Sequence, residues 1–111
     1  MASINFDQLF SSLLSGVESL AVTTLKDYEA AAKADGARML QEIKTNLMEW
    51  TSELETGSLT PEDFKYLLLE NKDVAEMDAL KQSGLAEVRT DEFRNNVLNL
   101  VLGTVLGLVK L

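Results

Sequence analysis

A chain of 111 residues with neither cysteine nor histidine has no disulfide framework and no thiol chemistry, and it lacks the commonest general base and metal ligand. Its length fits a single domain, residues 1–111, with a modest core, a size at which oligomerisation is a common way to gain buried area. The net charge is −8, of which residues 26–90 carry a net −6, so the middle of the chain repels phosphate backbones and anionic lipid headgroups.

No basic segment precedes the first apolar run, since the first cation is Lys26. A secretory signal is therefore not read there. The expected location is the cytoplasm, with signal-independent export as the alternative. Phe6, Phe10, Leu13, Val17 and Leu20 then recur in steps of three and four, the rhythm of one buried helix face. Leu25, Tyr28 and Ala32 continue the stripe, and Ile43, Leu47, Trp50 and Leu54 resume it after a change of phase at Gly36 and Met39. The pattern predicts one long helix reaching residue 55. Asp35-Gly36 is the one place where a turn could interrupt it. Ala30, Ala31, Ala32, Ala34 and Ala37 are strong helix formers and favour continuity, which makes Gly36 a point of close helix approach.

The strongest punctuation runs from Glu55 to Glu62. Gly57 suits a helix C-terminus, Thr60 an N-cap and Pro61 a first helical position, with Glu62 and Asp63 loading the first turn. Leu59 can staple onto Phe64. A second helix is expected from 61 to 82, with Phe64, Leu67 and Leu68 setting its stripe. Asn71 falls in that stripe, Asp73 with Glu76 could form a new capping box, and Val74, Met77 and Leu80 carry on. Ser83-Gly84 and Thr90 mark an interruption within 83–90, and Thr90 followed by Asp91 and Glu92 reads as the N-cap of a final helix over 91–110.

That final helix is the least polar part of the chain. Ten Val or Leu residues lie between Val97 and Leu111, and Lys110 is the only charge after Arg94. The stretch is shorter than the ~20 apolar residues a bilayer span takes. Folding the chain at Gly57 would lay 5–25 alongside 91–110, so that the two apolar ends cover each other. Asn96, Asn99, Gly103, Gly107 and Lys110 form a narrow stripe of small and polar residues. The Gly103–Gly107 spacing lets two helices approach closely. Ser12 with Gly16, and Ser15 with Ser19, offer similar pairs on the first helix.

Catalytic and metal-binding patterns fail individually. Glu42, Glu49 and Glu53 share a helix face, but a helical di-iron site also needs Glu-x-x-His pairs. A calcium loop starting at Asn71 would place Glu76 where glycine is required and Gln82 where a bidentate glutamate is required. Ser11, Ser12, Ser15 and Ser19 lie on the apolar first helix without a nucleophile elbow, and Gly103, Gly107 and Lys110 lack phosphate-loop spacing. No enzyme activity, cofactor, metal or nucleic-acid partner is expected.

An acidic helical hairpin of this length resembles the small exported proteins of the WXG type, which carry Trp-x-Gly in the turn. Here the tripeptide is Trp50-Thr51-Ser52, with the turn residues later, at Gly57 to Pro61. Tyr66 and Glu70 have the Tyr-x-x-x-Asp/Glu spacing but stand at the start of the second helix, where that family has it after the second helix. The likeness implies an exported helical hairpin.

The expected fold is all-α: an antiparallel hairpin of two long helices, the second interrupted near 83–90, assembling into a helical bundle. Two such hairpins close a four-helix core, so the expected partner is a second copy in a homodimer. The candidate helix–helix interface comprises Phe10, Leu13, Val17, Leu20, Trp50, Val97, Val101, Gly103 and Gly107. The leading functional expectation is a non-enzymatic structural or interaction protein acting as a homo-oligomer. A lipid-surface role for the apolar ends, and the exported hairpin, are the rivals. Membrane contact stands second because amphipathic surface binders usually carry basic flanks.

Overall fold

The computed structural model describes residues 5–70 and 78–109. They form five helices and no strand: α1 (Phe6–Thr24), α2 (Glu29–Thr56), α3 (Pro61–Glu70), α4 (Asp78–Gln82) and α5 (Glu87–Val109), with a 3-10 turn, Lys26–Tyr28, between the first two. An all-α helical bundle results. A helix of 28 residues is about 42 Å long, so α2 alone spans most of the 46 Å long axis of the molecule.

The first long helix expected from the periodicity is two helices. Asn5 caps α1, its side chain accepting the Gln8 N–H at 3.1 Å. Val22, Thr23 and Thr24 then place three β-branched residues in succession at the helix end. Such side chains are restricted in a helix, and Thr hydroxyls compete for backbone carbonyls. Thr23 Oγ1 donates to the Ser19 carbonyl at 2.7 Å and Thr24 Oγ1 to the Leu20 carbonyl. Leu25 leaves helical geometry at φ −133°, ψ 55°, yet stays buried, so the apolar stripe runs on through a chain reversal.

After that reversal α2 packs back along α1. Val17 lies against Gly36, and the Lys44 ammonium sits 4.9 Å from the centre of the Phe10 ring, so advancing along α1 means retreating along α2. The pair is antiparallel. α5 also runs antiparallel to α1, with Leu100 against Gly16 and the Arg89 guanidinium donating to the Thr24 carbonyl at 3.4 Å. The two apolar ends of the chain do cover each other, and α1 becomes the shared partner of α2 and α5. Their facing residues form one core cluster, joined by Phe64 and Leu68 of α3, Leu80 of α4 and Leu85.

The turn at 57–60 follows the expected chemistry. Gly57 takes φ +82° and donates its N–H to the Leu54 carbonyl at 3.3 Å, while the Leu59 N–H reaches the Glu53 carbonyl at 3.2 Å. Thr60 Oγ1 accepts the Asp63 N–H at 3.1 Å, which caps α3 just ahead of Pro61. Phe64 meets Trp50 edge to face, with ring centres 6.1 Å apart, and ties α3 to the end of α2.

The later boundaries differ in position. The interruption after α4 is short: Gly84 takes φ +90°, its N–H bonded to the Lys81 carbonyl at 3.1 Å, and the Leu85 N–H bonds to the Leu80 carbonyl at 3.2 Å. α5 already begins at Glu87. Thr90 is therefore inside a helix, not at its cap. Its hydroxyl donates back to the Ala86 carbonyl at 3.1 Å, which satisfies it in a buried position without a cap geometry. The expected capping box of Asp73 with Glu76, the continuation through Asn71, Val74 and Met77, and the final Lys110 and Leu111 lie outside the described residues.

Candidate interaction surface

α5 has one face in the core and the opposite face open. Phe93, Val97, Leu98, Val101 and Val105 are buried against α1, α2 and α3. Half a turn away, Asn96, Asn99, Gly103 and Gly107 are exposed. A side chain built at either glycine would meet nothing within 4 Å. Half-buried Leu100, Leu102 and Leu106 border this ridge, and Leu108, in line with the buried stripe, is exposed near the helix end. Residues 95–109 contain no charged side chain, so a strip of α5 several turns long presents neutral surface on a chain of net charge −8.

The residues singled out by the sequence separate into three groups. Phe10, Leu13, Val17, Val97 and Val101 are buried inside the single chain, where they join α1 and α5 to the rest of the core. Leu20 and Trp50 are half-buried at its margin. Gly103 and Gly107 stand on the open ridge. The close helix approaches within the chain use other glycines. A Cβ on Gly36 would overlap Val17 Cγ1, and one on Gly16 would lie 2.7 Å from Leu100 Cδ2.

Sequence reading missed Asp35. It sits in the middle of α2 at 2 % exposure, flanked by buried Ala32 and Met39. Its Oδ1 accepts the Ala79 N–H at 3.0 Å and its Oδ2 the Leu80 N–H at 2.8 Å. The carboxylate thus caps α4 from 44 residues away. The available signal was an acidic residue within a core stripe, since a buried charge is tolerated only with partners.

Other surface features are smaller. Tyr66 is 65 % exposed on α3, and Met48 and Val22 are exposed on α2 and α1. A depression lined by Thr24, Leu25, Arg89, Glu92, Phe93 and Asn96 holds about 40 Å³, room for a few waters. Small-ligand sites usually take roughly 300 Å³ or more. Among the described residues no group of carboxylates gathers as a metal site, and no helix is long and apolar enough to cross a membrane. Compared with known protein families, curated protein sequences and solved structures, the chain matches none.

Proposed function

We propose that this chain is a non-enzymatic helical interaction protein that acts as a homodimer, joined through the outer ridge of α5. The observation that carries the reading is the neutrality of residues 95–109 on a strongly acidic chain. Two copies of net charge −8 repel wherever carboxylates face each other within about a Debye length, roughly 8 Å at physiological salt. The α5 ridge lets them meet without that cost. Leu100, Leu102 and Leu106 supply apolar area beside it, and the bare backbones at Gly103 and Gly107 permit close approach. Because α1 folds back on α2 and packs against α5, a second copy is not required to close the core. Its role is to cover the ridge.

The test is mass in solution at micromolar and higher concentration, for the native chain and for Gly103→Lys. Gly103 has open space around it, so lysine fits the single chain. The expected result is twice the 12.2 kDa chain mass for the native protein and the single-chain mass for the variant. A native protein that remains a monomer throughout would remove the proposal. If the native monomer instead floats with neutral liposomes and Gly103→Lys does not, the ridge belongs to a lipid surface.

A further inference from the structure

We draw no further inference here: the strongest candidate, the surface patch of small uncharged residues around the Gly16–Leu100 contact, where Ser12 and Ser19 of α1 are exposed alongside the α5 ridge, continues the interface already proposed, and nothing in the structure shows what covers it.

Discussion

Gly36 and Gly103 both lie in long helices, yet one is closed in and the other open. Gly36 is buried on the face of α2 that receives α1, where Val17 occupies the space a Cβ would need. Gly103 is on the face of α5 turned away from the core, with no neighbour within reach. The same residue type thus does opposite things to stability. In a helix interior glycine costs about 1 kcal/mol relative to alanine. At Gly36 closer packing offsets that cost, whereas at Gly103 nothing within the chain does. A glycine on an outward helix face with no internal justification is the reason to look for an external partner there.

Substitutions sharpen the contrast, beginning with the largest effect. Gly36→Ala forces a methyl into Val17, a β-branched side chain fixed in the core. Overpacking of this kind costs about 1–3 kcal/mol, only partly recovered by helix propensity. Urea denaturation should show a clear fall in midpoint, and an unchanged or raised midpoint would mean that α1 and α2 are not in close contact. Gly57→Ala should cost about 1 kcal/mol for a different reason, the left-handed backbone at φ +82°, with the helices otherwise unaltered by circular dichroism. Gly107→Leu should stabilise a dilute, monomeric chain by roughly 0.5–1 kcal/mol, because the site is open. At high concentration the same variant should melt below the native protein if copies meet at the ridge, since dimer stability depends on concentration. A raised melting temperature at every concentration would leave the ridge as plain solvent-facing surface. Gly16→Ala should change stability least, by within about 0.5 kcal/mol, because its obstacle is the tip of half-buried Leu100, which can rotate aside while the helix gains propensity.

The contrast also separates what local sequence encodes from what tertiary packing decides. The 57–60 turn was legible because each residue there has its own chemical role: Gly57 for a left-handed backbone, Thr60 for a cap, Pro61 for a fixed φ. The continuity of α2 through Asp35-Gly36, and the close approach at Gly36, were legible from the surrounding alanines and the unbroken stripe. The reversal at 25–28 was not. It uses neither glycine nor proline, and Leu25 and Tyr28 stay on the apolar stripe, so periodicity reads straight through it. The one local signal was the run Val22-Thr23-Thr24. The start of α5 was misplaced because Thr90 has cap chemistry but finds its acceptor inside the helix, at the Ala86 carbonyl. Asp35 was overlooked as a cap because its donors, Ala79 and Leu80, lie far along the chain, and local reading pairs a cap only with residues a few positions away. As for the ridge, the stripe from Asn96 to Gly107 was visible in sequence, but which way it faces became clear only once α1 had taken the other side of α5.

The chain reversal at Leu25 also makes the α1–α2 pairing local in sequence and the α1–α5 pairing distant. Residues 6–56 can pair as a local antiparallel unit, with short loop closure and contacts close in sequence, the kind that form fast. α5 supplies the other partner of α1 only after most of the chain is made. Until then the flank of α1 around Gly16 and Leu20 lies bare, waiting for Leu100 and its neighbours. A nascent or truncated chain that ends before α5 therefore shows a sticky α1 flank to its surroundings, and α5 is the helix that shields it.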